Sequence, residues 1–257
     1  MLLVMVAASN RDRALLSARA DSAFAGLTEA KNAADAEAMT EAVWRAWEVM
    51  GDSAAAAIWR DRYATLAQAS FDAATTAKRP DAAARAAEGL AAVARSRGDA
   101  ASESKWLGER DRLRREIAER YEDEGKLGQA GEAFRLLAAD ELARGDAAAS
   151  IVWYERALKL AVRTNDPEAN ALALAGRAEA ELSKGDASSA LATTTEALRL
   201  ATTSGMETEV SLPSIAEVKL RRPAAVALKV RAAALEKLGR TENAAATRAL
   251  AATLSGP

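Results

Sequence analysis

LARGDAAASIVWYERALKLA, residues 142–161, returns forty positions later (182 − 142) as LSKGDASSALATTTEALRLA, residues 182–201. Both stretches read Leu-x-basic-Gly-Asp-Ala and then an apolar-spaced run ending Ala-Leu-x-Leu-Ala. The Gly-Asp pair is a corner between two helices. Glycine takes the left-handed backbone conformation that ends one helix, and the aspartate accepts hydrogen bonds from the free N–H groups that begin the next. Apolar residues before the corner (Phe134, Leu137, Ala138, Leu142) and after it (Ile151, Tyr154, Leu158, Ala161) follow helical spacing. Neither helix covers so narrow a stripe alone, so successive pairs must stack.

The corner recurs at Gly51-Asp52, Gly98-Asp99, Gly145-Asp146 and Gly185-Asp186, with Gly239-Arg240 in a comparable place. The first two intervals are 47 residues (98 − 51 and 145 − 98), and Trp59, Trp106 and Trp153 each follow their glycine by eight. The next two intervals are 40 (185 − 145) and 54 (239 − 185), together twice 47. Regularly placed aromatics usually pack, so these tryptophans read as anchors between helices rather than as a ligand cage. Further breaks at KRPD (78–81), EDEGKLG (122–128), NDPE (165–168) and 203–222 hold the Pro, Gly and Asx residues of turns. Helices are predicted at about 5–31, 36–50, 53–77, 82–97, 100–122, 128–144, 147–164, 168–184, 187–203, 223–238 and 241–254, with no strand.

Composition agrees. The 257 residues are 50% hydrophobic and 28% charged, about a quarter are Ala, and Gly and Pro number 14 and 5, so helix is favoured nearly everywhere. With 35 basic and 37 acidic side chains the net charge is −2, and no overall field attracts nucleic acid or an anionic membrane. The chain has neither Cys nor His, which removes thiolate nucleophiles, disulfides and the commonest general base and metal ligand. The expectation is therefore no enzyme, no cofactor and no metal site. No apolar run approaches the ~20 residues that span a bilayer. MLLVMVAAS at the start resembles the end of a signal peptide, but lacks a preceding Lys or Arg, so the cytoplasm is expected, with the periplasm or secretion as alternatives.

The residues resemble tetratricopeptide repeats. With Gly145-Asp146 set on the family's inter-helix turn, Phe134 falls at the first large anchor and Leu137-Ala138 at the Leu-Gly pair. Ser150, Tyr154 and Ala157 fall at the small, aromatic and small positions of the second helix. The following unit supplies Ala178, Gly185, Ala190, Ala197 and Leu198, and the final one Ala232, Gly239, Ala244 and Ala251. The family tyrosine of the first helix is replaced by Glu141 and Glu181, Val162 stands where the unit-end Pro belongs, and the units exceed the usual length. The likeness is to the long-helix branch of the family. It implies an all-α fold, a right-handed α-α superhelix of about five antiparallel pairs behind an N-terminal capping helix. Residues 1–35 would form that cap and 36–257 the repeat domain, with an insertion at 203–222.

In the family the inner surface, lined by the first helix of each pair, holds extended or helical peptides. Its groove positions are Glu41, Arg45, Glu48, Arg85, Glu88, Arg95, Glu132, Arg135, Glu179, Lys229 and Glu236 in this chain, a lining of mixed sign; a solvated face is the alternative for any one of them. The resemblance implies a protein-protein interaction scaffold that binds a partner peptide or helix and supports a multiprotein assembly, or else a peptide-sensing regulatory module of a bacterial signalling or transcription system. Three segments add detail. Residues 108–126 are dense in alternating charge, the mark of a salt-bridged helix surface. Residues 202–224 carry Met206, Val210, Leu212, Ile215, Val218 and Leu220, with Pro213 and Pro223 each placed to open a helical turn, either as a binding edge or as cover for a neighbour's stripe. Leu2, Leu3, Met5, Leu15, Leu16, Phe24 and Leu27 mark an N-terminal helix that caps the stack or pairs with a second copy.

Overall fold

The computed structural model describes residues 13–29, 33–203 and 212–255. It holds eleven α-helices among those residues: α1 (Arg13–Glu29), α2 (Ala33–Val49), α3 (Ser53–Thr76), α4 (Pro80–Ser96), α5 (Ala100–Asp123), α6 (Leu127–Ala143), α7 (Ala147–Arg163), α8 (Pro167–Ser183), α9 (Ala187–Ala201), α10 (Arg221–Lys237) and α11 (Thr241–Ser255). Following α1 they run as the expected five antiparallel pairs, the arrangement of an α-solenoid. The described residues form no strand, only an isolated antiparallel bridge between Thr202 and Val218. Contacts group the chain into two compact units, Met1–Arg114 and Arg115–Pro257, divided within α5.

The corners take the form their residues dictate. Gly145 and Gly185 have φ of 87° and 88°, a region that a side chain disfavours. Asp146 then accepts from the Ala149 N–H at 2.9 Å and Asp186 from the Ser189 N–H at 3.0 Å. Asp52 and Asp99 cap α3 and α5 in the same way through Ala55 and Ser102. Hydrogen bonding holds the exposed Asp186 carboxyl below its ordinary range, the Ser189 N–H foremost. Between pairs, Lys78 and Asn165 adopt positive φ of 52° and 51°, so two junctions turn without glycine.

Aromatic packing fills the spaces between helices. In the first unit Trp59 meets Phe24 of α1 edge-on at 5.9 Å, and Trp106 meets Phe71 of α3 at 5.2 Å. The two phenylalanines are 47 positions apart (71 − 24), like the tryptophans they serve. In the second unit Trp153 stacks on Phe134 of α6 at 5.7 Å. Ala118 stands where the 47-residue step from Phe71 would place the next phenylalanine, so the ring comes from another helix. Helix α1 docks through Ala20 and Phe24, and Asp21 receives Arg62 at 2.6 Å. Of the other apolar residues expected on this helix, Leu2, Leu3 and Met5, and the side chains of Leu15 and Leu16, lie outside the described residues.

Of the apolar positions singled out around its corners, the second unit buries Phe134, Leu137, Ala138, Tyr154, Ala157, Ala161, Ala178, Ala190, Ala197 and Leu198, while Leu142, Ile151 and Leu158 are only half-buried. Glu181, at a position where the family has tyrosine, is also buried, its carboxylate tied to Arg177 at 2.9 Å and to the Thr193 hydroxyl at 2.7 Å. Beyond α9, Leu212, Val218 and Leu220 pack against the α9–α10 core around a 3-10 turn at Ile215–Glu217. That stretch covers a neighbour's stripe; Met206 and Val210 lie outside the described residues.

One contact is repeated in both units. A Cβ on Gly89 of α4 would strike the Tyr63 hydroxyl from α3, and one on Gly176 of α8 would overlap the Tyr154 ring from α7. A tyrosine from the second helix of one pair thus lies flush against the backbone of the next pair's first helix. At Gly176 the ring itself is in the way, so Gly176→Ala should lower stability by about 2 kcal/mol through overpacking. Denaturant titration should show part of that loss recovered when Tyr154→Leu is added.

Burial, with a contribution from the Glu179 charge, pushes the Tyr154 phenol up to about 12 from its ordinary 10. Between those values the unfolded chain releases its proton first, so the stability present below pH 10 declines as pH rises toward 12. Tyr154→Phe should flatten this decline in a stability-against-pH series; an unchanged slope would show that the phenol does not titrate with folding.

Candidate functional site

In the first unit, α2 and α4 are the first helices of successive pairs, and α3 packs on both. Trp44 of α2 lies against Tyr63 of α3, ring centroids 5.6 Å apart, while the tyrosine hydroxyl reaches Gly89 of α4. A tyrosine held in this way forms the floor between α2 and α4. Above it are two adjoining cavities of about 710 and 420 Å³ that share Glu41, Tyr63 and Arg85 as lining. The larger is walled mainly by alanines of α2, α3 and α4, with Glu37, Ser70 and Arg79 at its edge. The smaller is polar and gathers Arg45, Glu88, Arg95 and Arg110.

Five of the six groove positions expected on these two helices, Glu41, Arg45, Arg85, Glu88 and Arg95, line the smaller cavity together. Most of its charges are already paired. Arg45 stands 3.7 Å from Glu41 and 3.6 Å from Glu48, with its guanidinium over the Trp44 ring. Glu88 accepts from Arg114 at 2.7 Å, and Arg95 donates to Glu103 of α5 at 2.7 Å. Arg110 is buried beside Asp111, 2.8 Å away. Glu37 accepts from the Ser70 hydroxyl at 2.6 Å. Two arginines differ: among the described residues, no carboxylate lies within ion-pairing distance of Arg79 or Arg85.

Glu48, the sixth position, does not line either cavity. It takes the Ser96 hydroxyl of α4 at 2.5 Å, and Ser96 also receives Arg60 of α3 at 3.2 Å. Burial alone would raise the Glu48 carboxyl, but the Ser96 hydrogen bond and the Arg45 and Arg60 charges outweigh it and hold the group below its ordinary range. Glu48 therefore ties the far ends of α2 and α4 together. Tyr63 is shifted the other way: burial, then the charges of Glu41 and Glu37, push its phenol well above the usual value. It faces the groove as a neutral hydroxyl.

In the second unit the expected groove residues lie on α6, α8 and α10. Glu132 is bonded to Arg135 on the same helix at 2.5 Å, and Glu236 to Arg248 of α11 at 2.8 Å. Glu179 and Lys229 are exposed. The charged segment 108–126 is salt-bridged as expected, and several partners lie on other helices: Arg114 reaches Glu88, while Arg156 of α7 meets Glu119 at 3.5 Å and Glu122 at 2.9 Å.

Tyr63, Arg79, Arg110 and Glu37 are site residues that sequence reasoning missed. A signal for the floor was present. Glycine inside a helix costs about 1 kcal/mol relative to alanine, so Gly89 in AAEGLAAVA marks a place where something approaches the backbone closely.

No protein-family model matches the sequence, and no curated protein does. Among solved structures, the crystal structure of BtubC (BKLC) from P. vanneervenii aligns over 95% of this chain and 90% of its own, with 13% sequence identity and a TM-score of 0.49. A likeness of that degree bears on neither activity nor partner.

Proposed function

We propose that the protein is a non-enzymatic, tetratricopeptide-type scaffold and that the groove between α2 and α4 holds a segment of a partner protein, supporting a multiprotein assembly. The observation that carries this reading is the pair of adjoining cavities over Tyr63, one alanine-walled and one charged, open along two parallel helix faces. Groups that suit a binding surface dominate it: guanidinium donors, small apolar side chains and a neutral phenol. Its carboxylates are engaged by arginines or by a serine hydroxyl, which favours recognition over acid-base chemistry.

A photo-crosslinking side chain at Arg95, on the groove rim, and another at Val152, exposed on α7, test this in cells. The rim position should capture one defined segment of one protein, identified by mass spectrometry, that the α7 position does not capture. Equal or diffuse capture at both positions would contradict the reading.

A further inference from the structure

The groove's charge balance points to the chemistry of its occupant. Arg79 caps the start of α4 and Arg85 lies near the middle of that helix, where the two cavities meet. Six positions along a helix is an axial distance of about 9 Å. The neighbouring arginines 45, 95 and 110 have carboxylate partners within 4.0 Å, whereas these two have none among the described residues. Of the carboxylates that line the same cavity, Glu41 stands beside Arg45 and Glu37 accepts from the Ser70 hydroxyl, so neither is paired with Arg79 or Arg85. They lie beside walls of small apolar side chains, Ala82 and Ala86 of α4 facing Ala34 and Ala38 of α2.

Resting on the groove reading, we propose that the partner segment is an acidic, extended peptide. Two of its carboxylates meet Arg79 and Arg85, and one of its apolar side chains enters the alanine-walled cavity. The lining of α4 runs from Arg79 to Arg95, so about 24 Å is available, which accommodates roughly seven residues of extended chain. Two carboxylates about 9 Å apart correspond to acidic residues two to three positions apart in such a chain. Arg85, shared by both cavities, becomes the specificity-determining cation. A peptide is favoured over nucleic acid because the groove's aromatic floor, Tyr63, is buried edge to backbone and offers no face on which a base could stack.

Fluorescence anisotropy with the full chain tests this. The probes are a pooled set of labelled nonapeptides with one Leu and two Glu at every spacing, the matched Gln and Lys sets, and a nine-nucleotide RNA. The Glu set should bind at least tenfold more tightly than the Gln set, with spacings of two and three preferred. Arg85→Glu should weaken binding by about tenfold or more, while Arg85→Lys keeps most of it. Arg85 is exposed, and circular dichroism of each variant checks that the fold is kept. Equal binding of the Glu and Gln sets, preference for Lys, or tighter binding of the RNA would overturn the acidic assignment. If the Gln peptides bind as tightly and a substitution at Arg95 on the groove rim weakens them, the groove reading survives that failure; if no peptide of any charge binds, both fall.

Discussion

Everything in this chain depends on how abruptly one helix stops and the next begins. A left-handed residue ends the helix, and the following carboxylate satisfies the first free N–H groups of the next, as at Gly145-Asp146 and Gly185-Asp186. The reversal leaves two narrow, alanine-rich stripes facing each other, and alanine lets helix backbones approach closely. Close approach is what allows Tyr63 and Tyr154 to lie directly against the glycines of the following pair. The groove exists because this contact forms a floor between α2 and α4, with the Glu48–Ser96–Arg60 tie at one end.

Much of this was legible in the sequence because the deciding chemistry is local. A Gly-Asp pair carries its own backbone conformation and its own cap, so the corners and helix boundaries fall within a few residues of where the residues place them. The tryptophans were identifiable as anchors from their spacing, but their partners were not: Phe24 and Phe71 keep the 47-residue step, and Phe134 substitutes from a different helix where Ala118 breaks it. Charges on one helix face were equally readable as a face. Their engagement was not, since nothing local says that Glu88 meets Arg114 or that Glu48 meets Ser96. Glu181 shows the same limit, being charged in sequence and buried in structure because Arg177 and Thr193 close around it.

The two units use similar hairpins, and both pair part of their surface charge near at hand. On α6, α8 and α10 several carboxylates are paired near at hand, Glu132 by Arg135, Glu181 by Arg177 and Glu236 by Arg248, while Glu179 and Lys229 are exposed. Between α2 and α4 the pairing leaves two guanidinium groups over, next to an apolar wall and a neutral phenol. A residual charge at a concave surface draws a counter-charge from a ligand, and its specificity comes from where the charges stand rather than from how many there are.

Alanine-methyl NMR addresses the central claim most directly, because the groove wall is made of alanine. On titration with the crosslinked partner segment, the methyls of Ala34, Ala38, Ala82 and Ala86 should shift together, while those of Ala171 and Ala224, buried in the second unit, stay in place. Shifts confined to other helices, with the four groove methyls unmoved at saturation, would contradict the assignment of function to this groove.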